Sequence, residues 1–155
     1  MPDLLVNLLK LPVVEQRETA AFVVHRPQPF ELSIVRRFVA ENFSPKWADE
    51  VAVGFARQPV SVFVATMDRE LVGFAAYECT RRGFFGPMGV LDRAQASGVG
   101  KALLLASLGA LREMGYAYAI IGAAGPVRFY QKAVGAIVIP DSEPGIYTDL
   151  LKNTQ

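Results

Sequence analysis

The chain reads Val90-Leu91-Asp92-Arg93-Ala94-Gln95-Ala96-Ser97-Gly98-Val99-Gly100-Lys101 where an apolar strand is predicted to pass through a loop of small residues into a helix. Small residues let backbone N–H groups turn toward an anion, and the N-terminus of a helix adds the positive end of its dipole. Lys101 falls in the first helical turn, where a cation is unfavourable by about 0.3–1 kcal/mol unless an anion is bound there. The segment therefore predicts an anion site, and the alternative is a loop made small for packing that carries a surface lysine.

Two well-known phosphate-binding motifs do not fit this loop. A P-loop would need glycine in place of Gln95 and a hydroxyl in place of Ala102, to ligate magnesium. The dinucleotide-binding motif fails as well, because its third glycine would fall at Leu103. A pyrophosphate site of another kind remains as the interpretation.

The segments after the loop alternate between helix and strand. Residues 98–114 are apolar on nearly every face and end at Gly115, which predicts a helix that is buried on most sides. Residues 116–121 carry no charge, as expected of a strand that is covered on both faces. The remaining predicted elements are a turn at residues 122–126, a short helix at residues 127–134, and closing strands at residues 137–139 and 146–150.

The segments before the loop favour a half rich in antiparallel strands. They are, in chain order, a strand at residues 21–25, helices that begin near Pro29 and at Pro45, a hairpin of residues 60–67 and 70–79, and an extended segment at residues 83–91. Gly86, Pro87 and Gly89 interrupt the last segment, which is typical of a bulge or of the close approach of a ligand. The predicted fold class is α/β, a mixed sheet covered by helices.

The composition is that of a single folded domain. The chain has 155 residues, of which 52% are hydrophobic, and its 16 basic and 15 acidic residues give a net charge of +1. This length supports one core, so residues 1–155 are interpreted as one domain. The balanced charge argues against nucleic acid as a partner, and the high apolar content excludes a disordered chain.

The first 20 residues are interpreted as an amphipathic extension that caps the domain. Their apolar part is broken by Asn7, Lys10 and Pro12 and is too short to span a bilayer, so no membrane partner is expected. It also lacks the features of a secretion signal. One cysteine, Cys79, and one histidine, His25, do not make the cluster that zinc requires, so no metal is expected, and a cytoplasmic, reducing location is favoured.

The loop resembles the acetyl-coenzyme A signature of a known family, the GCN5-related N-acetyltransferases (GNAT). That signature is Gln or Arg, two residues, Gly, one residue, and then Gly or Ala, and residues 95–100 match it. A second family motif, an aromatic pair followed by a basic residue and a glycine, is matched by Phe129-Tyr130, Lys132 and Gly135. Phe85-Gly86-Pro87 and other short stretches resemble a bacterial branch of the family.

This resemblance covers residues 21–150, which would form the GNAT core. It implies a central mixed, mostly antiparallel twisted sheet of about six to seven strands, flanked by helices on both faces. It also implies acetyl-coenzyme A as co-substrate. The residues expected to bind it are Val90, Gln95, Ala96, Ser97, Gly98, Val99, Gly100 and Lys101.

Three positions depart from the family pattern. Ala96 stands where most members have glycine, which restricts the backbone but still allows its N–H to face a pyrophosphate. Ala123 and Pro126 replace the asparagine and alanine that commonly precede the aromatic pair. The first of these two replacements puts in doubt the usual side-chain contact near the pantetheine arm.

The resemblance implies acyl transfer from a thioester to an amine, for which an oxyanion donor and an acid are expected. The strand at residues 86–90 would offer a backbone N–H to the thioester oxygen. Tyr130 would be the general acid for the leaving thiolate, because a phenol with a pKa near 10 is matched to a thiol near 8.5. Its alternative role is an aromatic side chain that packs on the core.

Glu78 is the candidate general base, although a charge at a strand end is more often simply solvated. His25 is a weaker candidate, Asp92 is expected to be structural at the start of the loop, and Cys79 as a nucleophile would need a nearby base. Trp47 and Phe43 are expected either to shape the acceptor pocket or to pack in the core.

The predicted function is an N-acetyltransferase that transfers the acetyl group of acetyl-coenzyme A to a primary amine of a small molecule by direct attack in a ternary complex. The alternative is a catalytically inactive acetyl-coenzyme A-binding regulatory module. A nucleotide hydrolase is disfavoured by Ala102. The resemblance also allows a homodimer formed through the later strands.

Overall fold

A computed structural model of the protein describes residues 1–13 and 21–154. Within these residues the chain forms seven strands and four α-helices. The strands are β1 (Leu4–Asn7), β2 (Val23–His25), β3 (Val62–Met67), β4 (Glu70–Tyr77), β5 (Phe84–Val90), β6 (Tyr118–Ile121) and β7 (Ile137–Val138). The helices are α1 (Leu32–Asn42), α2 (Pro45–Phe55), α3 (Val99–Glu113) and α4 (Val127–Val134). None of the helices in this part of the chain is long and apolar enough to cross a membrane.

The strands form one mixed sheet in the order β2-β3-β4-β5-β6-β1-β7. Every neighbouring pair is antiparallel except β5 and β6, which are parallel. The predicted α/β class, with a mostly antiparallel mixed sheet and helices on both faces, is therefore confirmed.

Two sequence predictions for the ends of the chain are wrong. Residues 4–7 do not cap the domain but form β1, which is inserted between β6 and β7 with Leu4 opposite Ile121 and Val138. Leu4 and Val6 alternate with less buried residues, which is the pattern of a strand rather than a helix. The predicted closing strand at residues 146–150 is absent, and a 3₁₀ turn, Gly145–Tyr147, lies there instead. Residues 14–20 of the predicted extension lie outside the described residues.

The sheet separates two hydrophobic clusters. Helices α3 and α4 cover one face, where Leu103, Leu104 and Leu108 pack against side chains of β1, β4 and β5. Helices α1 and α2 cover the other face, where Val39 and Val51 pack against β3 and β4. Burial on both faces explains why β4 is apolar along nearly its whole length.

Strands β5 and β6 diverge soon after they meet. They pair only at Phe84 with Ile120 and at Phe85 with Ile121, and β6 then ends. On its other side β5 bulges against β4, because Gly86 and Pro87 together lie opposite a single residue of β4. The predicted bulge is thus confirmed, and a gap opens between the two strands beyond it.

Two helical glycines give opposite predictions for stability. A Cβ on Gly54 in α2 would lie 2.7 Å from Val62 Cγ2 and 2.9 Å from Cys79 Sγ, whereas one on Gly109 in α3 would meet nothing within 4 Å. Gly54→Ala should therefore lower the free energy of unfolding by about 1–3 kcal/mol through overpacking. Gly109→Ala should raise it by up to about 1 kcal/mol through helix propensity.

Urea denaturation of both variants and the wild type measures these changes. If Gly54→Ala were as stable as the wild type, the close packing of α2 on β3 would be contradicted.

Candidate functional site

A cavity of about 840 Å³ lies where β5 and β6 diverge. It is lined from both faces of the sheet, since Trp47 and Glu50 of α2 reach it from one side and Tyr130 of α4 from the other. The segment after β6, residues 121–126, and the loop around Pro144 complete its wall. The cavity therefore lies between side chains that come from both faces of the sheet.

The gap leaves backbone amides of β5 without a strand partner. Leu91 N–H donates to Val72 O at 2.8 Å, and Gly73 lies opposite Val90. Because N–H directions alternate along an antiparallel strand, the amides of Met88 and Val90 point away from β4 and toward the gap. Pro87 has no N–H to offer. Met88 lines the cavity, so this strand can present an N–H to an oxygen bound there.

The start of α3 is an exposed helix N-terminus that lacks an internal counter-charge. Gly98, with φ +82°, is the N-cap residue and provides no side-chain cap, and the first turn holds no acidic residue. The first N–H groups of a helix have no intrahelical acceptor. Gln95, Ala96, Ser97, Gly98 and Lys101 are exposed around it, so the loop can receive an anion from solvent.

The other predicted loop residues have mainly structural contacts. Val99 is fully buried in the core, so only its backbone faces the loop. Gln95 Nε2 donates to Val90 O and to Asp92 Oδ1, both at 3.3 Å, which holds the 3₁₀ turn before α3 against the end of β5. Gly100 lies close to Phe129 and Val90. A Cβ added to Gly100 would lie 3.7 Å from the Phe129 ring. None of these loop residues lines the 840 Å³ cavity, so the loop lies beyond its margin.

Tyr130 forms part of the cavity wall from the α4 side. Its ring packs edge-on against Phe85 and Phe129, with centroid separations of 6.1 and 5.2 Å. Burial raises the pKa of its phenol to about 12. Within the described residues its hydroxyl has no hydrogen-bond partner, which leaves it available to a bound molecule as a protonated donor.

Glu78 is buried beside the cavity rather than in its wall. Its Oε1 accepts a hydrogen bond from Gly83 N–H, and its carboxylate also contacts the Tyr116 hydroxyl. Burial, followed by the hydrogen bond and the charge of Glu78, raises the pKa of Tyr116. Through these contacts Glu78 stabilises the turn between β4 and β5. Glu78 is not among the residues that line the cavity.

The weaker sequence candidates are also separated from the cavity. His25 lies exposed on β2, at the opposite edge of the sheet from β7. Cys79 is buried under α2, where desolvation raises the pKa of its thiol and so disfavours the thiolate. Of the two aromatic residues assigned to the pocket, Trp47 lines the cavity, whereas Phe43 packs between Trp47 and Phe74.

Sequence reasoning missed Glu50, Thr80 and Tyr147, which all line the cavity. Thr80 Oγ1 donates to Glu50 Oε1 at 2.6 Å. Burial and then the negative charges of Glu50 and Asp3 raise the pKa of Tyr147. Glu50 follows Trp47 by three residues and so shares its helix face, which was the available signal. Thr80 lies in a loop and Tyr147 in the 3₁₀ turn Gly145–Tyr147, where no helical spacing marks the residues that face a cavity.

Comparison with known proteins identifies the family. Residues 21–136 match the acetyltransferase (GNAT) family, which is most of the chain. The chain therefore belongs to the GNAT family. The comparison with curated proteins found no match.

Solved structures of this family share the fold. A "GCN5-related glucosamine N-acetyltransferase region" of a fungal multi-domain GH3 β-N-acetylglucosaminidase superposes with a TM-score of 0.71 at 14% identity, covering 89% of this chain and 19% of that one. A GCN5-related N-acetyltransferase from Sphaerobacter thermophilus superposes with a TM-score of 0.65 at 19% identity. The match covers 89% of this chain and 48% of that one. A GNAT family acetyltransferase from Brucella melitensis in complex with acetyl-CoA superposes with a TM-score of 0.56 at 21% identity. The match covers 72% of this chain and 80% of that one. The chain thus spans at most about half the length of the first two.

The raised pKa of Tyr130 predicts how Tyr130→Phe changes stability with pH. The unfolded phenol has a pKa near 10 and the folded one about 12, so the wild type loses stability as the pH rises from 10 toward 12. The variant lacks this loss. Near pH 7 the two proteins should differ by less than about 0.5 kcal/mol, and near pH 11 the variant should be more stable by about 1 kcal/mol.

Urea denaturation at both pH values measures the difference. Tyr118→Phe, a change on an exposed side chain, is the matched control and should follow the wild type. Equal stability of wild type and Tyr130→Phe near pH 11 would contradict the burial of this phenol.

Proposed function

We propose that the protein is an acetyltransferase that uses acetyl-coenzyme A as co-substrate and acetylates a primary amine of a small molecule. The single observation that carries the proposal is the divergence of β5 and β6, where a cavity is lined by residues from both faces of the sheet, and β5 continues toward the exposed start of α3. Family membership supports it, and so does the relative from Brucella melitensis, which was solved with acetyl-CoA.

The residues present fit a pyrophosphate-bearing thioester. The start of α3, with Lys101 and no acidic residue in its first turn, suits the pyrophosphate. The inward amides of Met88 and Val90 suit the thioester oxygen, on which negative charge develops during attack. The thioester supplies an activated acetyl group. The chain's own residues would bind the phosphates, stabilise the oxyanion and provide a proton.

Tyr130 is the proposed general acid for the thiolate that leaves. Its hydroxyl is protonated at neutral pH, and its place in the cavity wall would let it face a sulfur atom bound in the gap. Burial raises the pKa of this phenol to about 12, which makes it a weaker acid than an exposed tyrosine, so its role depends on its position. Direct attack by the amine in a ternary complex fits a cavity of about 840 Å³ that is lined by residues from both faces of the sheet. Glu78 is a weaker proposal as base, because its carboxylate already binds the turn of residues 78–83.

A catalytically inactive acetyl-coenzyme A-binding module is the second candidate. The exposed loop at Gly98 supports binding whether or not transfer follows. Tight binding of acetyl-coenzyme A without turnover of any amine would favour the module.

Reversal of the charge at Lys101 should weaken the binding of acetyl-coenzyme A without lowering the stability of the fold. Lys101→Glu removes a cation from the α3 N-terminus and adds an anion, so stability should stay constant or rise by up to about 1 kcal/mol. The affinity for acetyl-coenzyme A should fall by about tenfold or more through the loss of a charged contact. Thermal denaturation with and without acetyl-coenzyme A measures both effects.

Lys46→Glu is the matched control, since Lys46 is also exposed in the first turn of a helix, α2. The N-terminus of α2 is already capped by the Ser44 side chain. This variant should keep the wild-type affinity for acetyl-coenzyme A.

The wild-type protein tests the co-substrate itself. If its denaturation midpoint did not rise with acetyl-coenzyme A but rose with Mg-ATP, the proposed co-substrate would be overturned.

Tyr130→Phe should reduce turnover without loss of co-substrate affinity. The loss of a general acid costs about 10²-fold or more in kcat, whereas the KM for acetyl-coenzyme A should change little. Release of the thiol with a saturating amine gives kcat. Wild-type kcat in this variant would remove Tyr130 from the mechanism and leave it as a packing residue.

A further inference from the structure

The α2 side of the cavity holds a carboxylate with no cationic partner. Glu50 is half-buried, and its one hydrogen bond comes from Thr80 Oγ1 at 2.6 Å. Within residues 1–13 and 21–154, no lysine, arginine or histidine lines the cavity, and Glu50 forms no ion pair. The other carboxylate of the wall, Glu143, is already paired with the N-terminal ammonium of Met1. A partly buried carboxylate without a counter-ion is unfavourable, so a bound cation would stabilise it.

The surfaces around Glu50 are mainly aromatic and apolar. Trp47 precedes it by one helical turn, and Phe84 and Tyr147 line the same cavity. The ring of Phe84 lies against Gly122, where an added Cβ would be 3.1 Å from the ring. Such a wall favours an apolar body, and aromatic faces also attract a nearby ammonium group.

We propose that the acceptor is a monocationic amine with an apolar body, and that its ammonium group binds Glu50, which takes its proton. This inference rests on the proposed function, because it assigns the acceptor of the same site.

Three other classes of amine fit the wall less well. A free α-amino acid would bring a carboxylate that has no cationic partner and is repelled by Glu50. An amino sugar would bury hydroxyl groups against Trp47 and Phe84, which offer few hydrogen-bond partners. A polyamine would bring a second ammonium group, which would lie against the apolar and aromatic part of the wall.

The proton balance needs no further reactant. The bound ammonium gives one proton to the Glu50 carboxylate, which then releases it to solvent. The neutral nitrogen attacks the thioester carbon, so that a C–N bond forms and the C–S bond breaks. The leaving sulfur takes the Tyr130 proton, and the second nitrogen proton replaces it on the phenol. The products are the acetamide, the coenzyme thiol and one proton.

A panel of four amines tests the acceptor class. The wild-type chain is assayed with acetyl-coenzyme A and 2-phenylethylamine, L-phenylalanine, glucosamine or spermidine, and kcat/KM is measured by thiol release and detection of the acetylated product. We expect 2-phenylethylamine to exceed each of the others by about tenfold or more, the cost of one unpaired polar group. Preference for any other member, or no turnover of 2-phenylethylamine by protein that binds acetyl-coenzyme A, overturns the inference. Absence of acetyl-coenzyme A binding overturns the proposed function instead.

Glu50→Gln tests the role of the carboxylate. The amide oxygen can still accept from Thr80, so the fold should be kept, and acetyl-coenzyme A affinity should not change. We expect kcat/KM for 2-phenylethylamine to fall by about 10²-fold near pH 7. It should recover about tenfold per pH unit as the free amine becomes available in solution.

Asp49→Asn is the matched control, because Asp49 is the preceding residue of α2 but is 74% exposed and pairs with Arg36 at the surface. It should keep wild-type kinetics. Wild-type kcat/KM in Glu50→Gln, or a loss without recovery at high pH, overturns the assignment of Glu50 as proton acceptor.

Discussion

The site depends on the short pairing between β5 and β6. Two residue pairs join these strands before β6 ends, and β5 then continues without a partner on this side, with Pro87, which cannot donate a hydrogen bond. Gly86, with φ +117°, adopts a backbone conformation that other residues rarely reach. Had the strands stayed paired, the amides of Met88 and Val90 would be used within the sheet, and no space would remain between β5 and β6 for the cavity.

The chain holds this gap open with contacts from distant segments. Asp3 Oδ1 accepts from Ala123 N–H at 2.8 Å, and Pro2 O accepts from Ala124 N–H at 2.8 Å, which fixes the turn that follows β6. Asp3 N–H in turn donates to Ser142 Oγ, so the loop near Pro144 is tied to the same corner. The cavity wall on this side is therefore held in place by the residues that precede β1, far away in sequence.

Charge is distributed unequally across the gap. The α3 end of the site offers unpaired N–H groups and Lys101 with no acid in the first turn, which suits an anion. The α2 end offers Glu50 among aromatic rings, which suits a cation. Packing sets the position of Glu50, since Ser44 caps α2 and the missing side chain of Gly54 lets that helix approach Val62 and Cys79. One end can thus take a phosphate-bearing ligand and the other an amine.

Local sequence signals were sufficient for most elements and for the loop before α3. The apolar segment of α3 that ends at Gly115, the Ser44-Pro45 start of α2, and the bulge at Gly86 and Pro87 all act over a few residues, so the chain specifies them without distant partners. The short apolar segment of β1 was misread because a strand of four residues gains its identity from its neighbours β6 and β7. Sequence reasoning singled out Glu78, at the end of a predicted strand, and passed over Glu50, which follows Asp49 in the middle of α2. In the folded chain Glu78 stabilises a turn, and Glu50 lines the cavity. The tertiary structure decides this difference, because burial and hydrogen-bond partners depend on which distant segments pack together.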